Sequence, residues 1–321
     1  MFAVAVLLVV SSQSLQGQAN SKNCVGEVYK VGGLPLLPAQ INDAGQVAGT
    51  TPGHRAASWT GQAGLREVPL PVGFSNSEGT GVNNAGHVTG IAYNRIFSEH
   101  QAFVFANGVL TLLPGKQSQA YKVNDSDVVA GESLLPGKPG SWPVSWTGNI
   151  IQSLGGCCGG SAKGVNENGE AIGDLYDEKG RYHAFLWTPG RGLLLIGPPD
   201  RYSSAVAINA PGHVVVQAFS EVFLYGEGSL TRLELSPRYP SQPHAINNCD
   251  VIVGSYGPFS DAERAFVWEK SRGFRDLNTY VAPDSGWKLE SATSINDRGE
   301  IVGRGDYKGQ EDTGFLLVPE R

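Results

Sequence analysis

Seven copies of a short turn sequence are the first feature of this chain that could bind a ligand, because each sets an asparagine among other polar side chains. The copies begin at Asn42, Asn83, Asn124, Asn166, Asn209, Asn247 and Asn296. Asn-Asp-x-Gly sequences occur in calcium loops, but a calcium ion needs about six or more oxygen ligands, and one turn offers far fewer. An asparagine side chain that bonds the nearby backbone explains every copy. We therefore predict a structural role for these turns and no metal site.

Sequence motifs of the common catalytic sites do not occur in this chain. The G-x-S-x-G, H-E-x-x-H, G-x-x-x-x-G-K-[ST] and Cys-x-x-Cys patterns are all missing. Carboxylates are numerous enough for the acid pair of a glycosidase, but the sequence does not indicate which two would approach each other. We therefore expect a protein without a cofactor, and a binding module more readily than an enzyme.

Candidate ligand-binding residues are expected where the copies differ, because loops carry function more often than the scaffold beneath them. Two long loops and two later connections contain aromatic, basic and acidic side chains, a mixture that suits recognition of carbohydrate or protein. The candidates are Tyr93, Arg95, His100, Asp174, Tyr176, Asp177, Arg181, Tyr182, Arg238, Tyr239 and Trp287.

The elements that must position these residues repeat with the asparagine turns. Successive asparagines lie 41, 41, 42, 43, 38 and 49 residues apart, and the residue seven positions after each is glycine, except for Val216 in the fifth copy. Each copy divides into four short strands, with the asparagine turn between the first and second. Glycine ends five of these turns and supplies a positive φ, whereas Asp127 and Asp250 take that position in the other two.

An aromatic residue recurs in the third strand of six copies, as Trp59, Phe105, Trp146, Trp187, Tyr225 and Trp268. Burial of one such ring contributes a few kcal/mol. We therefore predict that these rings pack between neighbouring repeats and do not form a sugar-binding platform.

The two ends of the repeat region complement each other. The last copy stops at its third strand, at residues 314–318, and residues 28–31 form a strand-like segment before the first copy. If that segment supplies the missing fourth strand, the repeats close into a ring without open sheet edges. We predict an all-β fold: a seven-bladed β-propeller of four-stranded antiparallel blades, closed by the N-terminal strand completing the last blade. An open solenoid, which needs polar end caps, is the alternative.

The repeat resembles that of the extracellular HAF repeat family. The pattern A-x-x-I-N-x-x-G-x-x-x-G followed by H-A-F-x-W carries the resemblance; residues 183–187 hold the triplet intact, and residues 100–103 are a near copy. Residues 264–266 replace the histidine by arginine. The resemblance covers residues 28–318 and implies an exported bacterial protein with no established catalytic residues. We expect His183 to be a hydrogen-bonding residue of the repeat.

An N-terminal targeting signal is predicted from the apolar run at residues 2–10, which is followed by small residues up to Ala19. Residues 1–19 match a secretory signal peptide and are too short to span a membrane, although no Lys or Arg precedes the run. We expect a single domain at residues 20–321, secreted or periplasmic, with no membrane span after cleavage.

Four cysteines lie in the expected mature chain, and export permits disulfides among them in three pairings. Cys157 and Cys158 are adjacent between two glycine pairs, where a vicinal disulfide is possible, and Cys24 with Cys249 would be the remaining pair. Free thiols or a metal site are the alternatives, but no His/Cys spacing matches a zinc motif.

The net charge of −6 is spread along the chain without a block of either sign. Because no basic patch or Lys/Arg run is present, neither nucleic acid nor anionic lipid is an expected partner. We predict a monomeric, exported, non-enzymatic binding module for a carbohydrate or another extracellular protein. A secreted polysaccharide hydrolase or lyase and a structural cell-surface protein are the alternatives.

Overall fold

A computed structural model of the chain describes residues 24–236, 238–258 and 263–320, so the predicted signal peptide lies outside the described residues. The described part contains a short 3₁₀-helix (Leu277–Tyr280) and no helix that is long and apolar enough to cross a membrane. In chain order the strands are β1 (Tyr29–Leu34), β2 (Leu37–Ile41), β3 (Val47–Thr50), β4 (Ala56–Thr60), β5 (Gly64–Glu67), β6 (Asn76–Val82), β7 (Val88–Tyr93), β8 (His100–Ala106), β9 (Val109–Leu112), β10 (Lys116–Val123), β11 (Val128–Leu134), β12 (Ser141–Thr147), β13 (Ile150–Ser153), β14 (Gly160–Val165), β15 (Ala171–Tyr176), β16 (Tyr182–Thr188), β17 (Gly192–Leu195), β18 (Ser204–Ile208), β19 (Val214–Ala218), β20 (Glu221–Gly226), β21 (Ser229–Leu233), β22 (Ser241–Ile246), β23 (Ile252–Tyr256), β24 (Arg264–Glu269), β25 (Gly273–Asp276), β26 (Trp287–Ile295), β27 (Ile301–Tyr307) and β28 (Gln310–Pro319).

These strands form seven antiparallel sheets of four strands each, arranged as the blades of a ring. Blades 1 to 6 each consist of four consecutive strands, from β2–β5 to β22–β25, and blade 7 has the order β26, β27, β28, β1. The first strand of each blade lies innermost and lines a central channel. The predicted seven-bladed β-propeller is confirmed.

Strand β1 closes the ring as the outer strand of blade 7. Tyr29 lies opposite Pro319, and Leu34 lies opposite Gly314 in an antiparallel register. The strand is longer than the predicted segment 28–31, because Gly32 and Gly33 continue the ladder although they carry no side chain that would indicate a strand. The ends of the described chain are therefore joined by backbone pairing within one sheet.

The hydrophobic core is divided into clusters that lie between neighbouring blades. Ala48 and Ala56 of blade 1, for example, pack with Val82, Val88 and Phe103 of blade 2. The six recurrent aromatic residues all pack against such clusters, which confirms their predicted position between repeats. Each blade is thus stabilised mainly by its two neighbours.

Close packing explains the glycine that lies seven residues after the repeat asparagine in six of the seven copies. The innermost strand of every blade contains a bulge just before the asparagine, as between Ala292 and Ser294 in blade 7. A Cβ atom on Gly303 would collide with the carbonyl oxygen of Ser291 and would lie 2.5 Å from Cζ of Phe315. The backbone and the aromatic ring therefore occupy the space that a side chain would need.

The seven repeat asparagines are buried and form a closed ring of hydrogen bonds between blades. Each Nδ2 donates to the backbone carbonyl oxygen of the asparagine in the next blade, from Asn42 to Asn83 at 2.7 Å and finally from Asn296 back to Asn42 at 2.9 Å. Each Oδ1 accepts from the backbone N–H four residues later. The predicted bond to nearby backbone is confirmed, and the bond to the next blade is an additional finding.

The two aspartates that replace the turn glycine adopt the expected left-handed backbone, with φ of 59° at both Asp127 and Asp250. Their side chains also accept hydrogen bonds from the preceding blade, from Nδ2 of Asn83 at 2.9 Å and from Nδ2 of Asn209 at 2.7 Å. Aspartate therefore adds a contact between blades that glycine cannot make.

Candidate functional site

The two faces of the ring differ in the connections that they carry. The turn face carries the seven asparagine turns, and the loop face carries the connections that lead into the first strand of each blade and those between its second and third strands. By strand direction, all the candidate residues of the sequence lie on the loop face or at the strand ends next to it. They do not form one group.

Three of the candidates surround one cavity on the loop face. Asp174, Tyr176 and Tyr182 line a cavity of about 390 Å³, the loop-face cleft, to which blades 4, 5 and 6 contribute. The other lining residues are Lys163, Ser204, Val206, Gln217, Gln242, Pro243 and His244. The cleft therefore combines aromatic, amide and charged groups from three blades.

Two tyrosines stand at the rim of the loop-face cleft. Tyr176 and Tyr182 are directly opposite each other on β15 and β16, and they are 44% and 38% exposed. The ring of Tyr182 also lies against Tyr202, with 5.0 Å between the ring centroids. A ligand in the cleft would meet these partly exposed aromatic rings.

An ion pair and a hydroxyl connect blades 4 and 5 in the wall of the cleft. Lys163 lies at the bulge of β14 and is ion-paired with Asp174, which is buried. Nζ of Lys163 donates to Oγ of Ser204 at 2.9 Å, and Ser204 donates to Oδ1 of Asp174 at 2.9 Å. The three side chains hold one another in place, so the two charged groups are positioned before any ligand binds.

His244 lines the same cleft from blade 6. Its Nδ1 lies 2.9 Å from the carbonyl oxygen of Ala292 and donates to it, which leaves Nε2 as an acceptor in the neutral ring. Burial lowers the pKa of His244, although its hydrogen bond to Ala292 acts in the opposite direction. Burial therefore favours the neutral form of the ring.

A second cleft of about 350 Å³ lies between blades 3 and 4, and Asp174 and Tyr176 separate it from the first. Glu132 and Cys158 also line it. Burial raises the pKa of the Glu132 carboxyl, against an opposing hydrogen bond from Tyr121. This cleft thus contains one carboxyl group that resists ionisation and one that is already ion-paired.

The candidates of blade 2 form a separate group of rings. Phe97 stacks on His100 with 4.7 Å between centroids and lies 4.8 Å from Tyr93, while Arg95 is exposed in the connecting turn. The Tyr93 hydroxyl donates to Oε1 of Glu78 at 2.9 Å, and burial raises the pKa of Tyr93 to about 12. Burial lowers the pKa of His100. These residues do not line either cleft.

The side chains of Asp177 and Arg181 are bonded within their own turn. The Asp177 carboxylate accepts from the backbone N–H groups of Lys179 and Arg181, both at 2.9 Å, and from Nε of Arg181 at 2.8 Å. The backbone N–H of Arg181 is the main reason that the pKa of Asp177 lies well below its usual range. His183 lies 3.2 Å from the same carboxylate, so the histidine of the HAF triplet is a hydrogen-bonding residue, as expected.

The remaining candidates lie in blades 6 and 7. The guanidinium of Arg238 lies 5.2 Å from the ring centroid of Tyr239, in the connection before β22. The Trp287 ring packs on Tyr307 at 4.9 Å and on Phe315 at 6.1 Å. Trp287 thus contributes to the packing of blade 7 and does not line the loop-face cleft.

The four cysteines form the disulfides Cys24–Cys249 and Cys157–Cys158. The first joins the chain ahead of β1 to the asparagine turn of blade 6, and the second lies in the connection between β13 and β14. Within residues 24–236, 238–258 and 263–320, no three His, Cys, Asp or Glu side chains are grouped so as to hold a metal ion.

Sequence reasoning missed most residues of the two clefts because it treated the strands as scaffold. Glu132, Asp174 and Gln217 all occupy the position directly after the repeat glycine, or after Val216 in the fifth copy. Aligning the seven copies would have shown that this position is polar in several of them. Of these three residues, only Asp174 was predicted as a candidate, because it lies next to a long loop.

Solved structures with the same fold were found at low sequence identity. Virginiamycin B lyase from Staphylococcus aureus superposes with a TM-score of 0.62 at 12% identity, over 91% of this chain and 100% of that chain. YCF48 bound to D1 peptide gives 0.57 at 10% identity, over 91% and 96% of the two chains. The β-propeller domain of the Trilobed protease from Pyrococcus furiosus gives 0.54 at 12% identity, over 74% and 79%. The chain matches no protein-family profile and no curated protein sequence.

Proposed function

We propose that this protein is a binding module that recognises a carbohydrate in the loop-face cleft. The observation that carries the proposal is the pair of partly exposed tyrosines, Tyr176 and Tyr182, above a wall of fixed polar groups. Aromatic faces suit the C–H surfaces of a sugar ring, and amide and charged side chains suit its hydroxyl groups. Gln217 and Gln242 supply the amides, and the Lys163–Asp174 pair supplies the charges.

The propeller scaffold that this chain shares with its fold neighbours is compatible with a binding or a lyase role and does not decide between them. One neighbour is described as bound to D1 peptide, and a catalytically inactive variant of virginiamycin B lyase is described with quinupristin, at a TM-score of 0.58 and 12% identity to this chain. At 10–12% identity these likenesses show the fold alone. The choice of carbohydrate rests on the residues of the cleft.

We propose further that the protein is exported and of the HAF repeat type. The apolar segment at residues 2–10 and the seven repeats support this, and so do the two disulfides, because disulfides persist in oxidising compartments outside the cytosol. The alternative of a structural cell-surface protein would not require an organised cleft of this kind.

Replacing either rim tyrosine is expected to weaken carbohydrate binding. Tyr176→Ala and Tyr182→Ala should each lower the affinity about tenfold or more, since loss of a central aromatic contact costs about 1–2 kcal/mol or more. A glycan array followed by calorimetry of the best ligand would measure this. Leu194→Ala, an exposed position on β17 of the same blade, is the control. Equal affinities for the variants and the control, or no glycan bound, would contradict the proposal.

A polysaccharide hydrolase or lyase is the second candidate, and Glu132 is the observation that favours it. A partly buried carboxyl of raised pKa is suited to donate a proton as a general acid, beside the ion-paired Asp174. In that case Glu132→Gln should lower the rate of reducing-end release by about 10²–10⁴-fold, whereas exposed Glu178→Gln should not. The activity should also decline as the pH rises through the raised pKa, because the acid form is lost there. Unchanged rates in Glu132→Gln would remove this candidate.

A further inference from the structure

The central channel contains a cavity whose size follows from one repeat position. Two residues before the repeat asparagine, five blades carry a small residue: Gly81, Gly164, Ala207, Ala245 and Ser294. The other two blades carry Gln40 and Lys122, whose side chains line a cavity of about 180 Å³. The small residues leave the space, and the two long side chains contribute an amide and an ammonium group to its lining.

Lys122 is the unusual residue of this cavity. Among the described residues its side chain has no ion-pair or hydrogen-bond partner, whereas the other lysine of the cavity, Lys163, is paired with Asp174. Burial lowers the pKa of Lys122 to about 8. The Lys122 ammonium is thus held in the channel without a directly bonded carboxylate among the described residues.

The carboxylates that line the same cavity are already occupied at the turn face. Asp43 accepts the backbone N–H of Asp297 at 2.9 Å, and Asp125 accepts that of Asn84 at 2.7 Å. Glu167 accepts the backbone N–H of Asp125 at 2.9 Å, and Asp297 accepts that of Asn248 at 2.8 Å. These acids form a rim that would repel an anion at the turn face. An anion would therefore enter the channel from the loop face. On that side, Lys163 and His244 line both the channel cavity and the loop-face cleft.

Gln40 provides a second donor on the other side of Gly81. Its Oε1 accepts the backbone N–H of Val82 at 3.3 Å, so its amide N–H groups remain available to donate. A Cβ atom on Gly81 would lie 3.2 Å from both Oε1 of Gln40 and Cα of Lys122. The absence of that atom allows side chains of blades 1 and 3 to approach the same space.

We propose that the channel binds a small oxyanion, a carboxylate or a phosphate, between the Lys122 ammonium and the Gln40 amide. Charge-assisted hydrogen bonds to oxyanions are among the stronger polar contacts, and a narrow channel screens them less than open solvent does. The cavity has room for an ion of this size with a few waters. This site is separate from the proposed carbohydrate site, and neither depends on the other.

Calorimetric titration of the intact protein with sodium acetate, sulfate and phosphate tests the proposal. Saturable binding of at least one ion is expected, with an affinity about tenfold or more lower in Lys122→Met and a smaller loss in Gln40→Leu. Lys122→Arg should retain binding. Lys30→Met, on the exposed side of β1, is the control and should bind like the parent protein.

A preference among the three ions distinguishes the two ligand classes: acetate reports a planar carboxylate, and sulfate and phosphate report a tetrahedral ion. Crystals soaked in selenate should place the ion beside Lys122. If no ion gives saturable binding to the parent protein, or if Lys122→Met binds as tightly as Lys30→Met, the proposal is wrong. The first of these outcomes does not require any variant to fold.

Discussion

Asn124→Ala is expected to lower the free energy of unfolding by about 2–4 kcal/mol, a large part of the stability of a typical domain. The side chain is 2% exposed. Its Nδ2 donates to the carbonyl oxygen of Asn166 at 2.8 Å, and its Oδ1 accepts the backbone N–H of Val128 at 2.9 Å. Alanine would leave the buried carbonyl oxygen of Asn166 and the partly buried N–H of Val128 without these partners, and urea unfolding at constant pH would measure the cost.

Asn168→Ala is the matched control for this experiment. Asn168 also donates to a carbonyl oxygen of the next blade, that of Ala210 at 3.0 Å, but it is exposed on the turn face. Water can replace an exposed hydrogen bond, so the expected loss is within about 0.5 kcal/mol. Equal losses at Asn124 and Asn168 would show that the buried ring does not hold the blades together.

Removing β1 is expected to abolish cooperative folding. A chain that starts at residue 35 lacks Tyr29 and Leu34, which are 2% and 8% exposed, and it exposes the edge of β28. Burying two such side chains contributes about 1.5–3 kcal/mol each, before the loss of the backbone ladder is counted. The total approaches the whole stability of a typical domain, about 5–15 kcal/mol, and an open hydrophobic edge promotes aggregation. Thermal unfolding by circular dichroism, with size-exclusion chromatography, would detect both effects.

The double variant Cys24→Ser/Cys249→Ser separates the strand from the disulfide that precedes it. It keeps β1 but removes a link between residues 225 positions apart, for which a loss of about 2–4 kcal/mol is typical. We expect this variant to remain folded with a lower midpoint. If the chain starting at residue 35 melts like the double variant, then the pairing of β1 with β28 adds little to the closure.

The fold was predictable because one pattern occurs seven times, and each copy supports the assignment of the others. Because the last copy lacks a strand after Val318, the segment before the first copy was predicted to supply it. The full length of that segment was not predicted, because the glycines at 32 and 33 carry no side chain that indicates a strand. Asn124 shows the limit of this reasoning: its bond to Val128 is local and was expected, whereas its bond to Asn166 depends on how two blades meet.

The candidate site was predictable only in part, because residues of both loops and strands line it. Asp174, Tyr176 and Tyr182 were found from the polar loop beside them. Lys163 and Lys122 were not, because their places in the channel depend on the bulge in each innermost strand, which strand patterns do not reveal. In contrast, Asp177 and Trp287 attracted attention by residue type, and the structure shows the first bonded within its turn and the second packed against Phe315.

The ring of asparagines has a further consequence for chain order. The bond from Asn296 to Asn42 spans 254 positions, yet it has the same donor, acceptor and direction as the bond between the adjacent repeats at Asn42 and Asn83. The junction between the last and first repeats is therefore equivalent to the other six at this level of the structure. In this respect the molecule is cyclically symmetric. Among the described sheets, only blade 7 combines strands from both ends of the chain, because β1 lies beside β28 there.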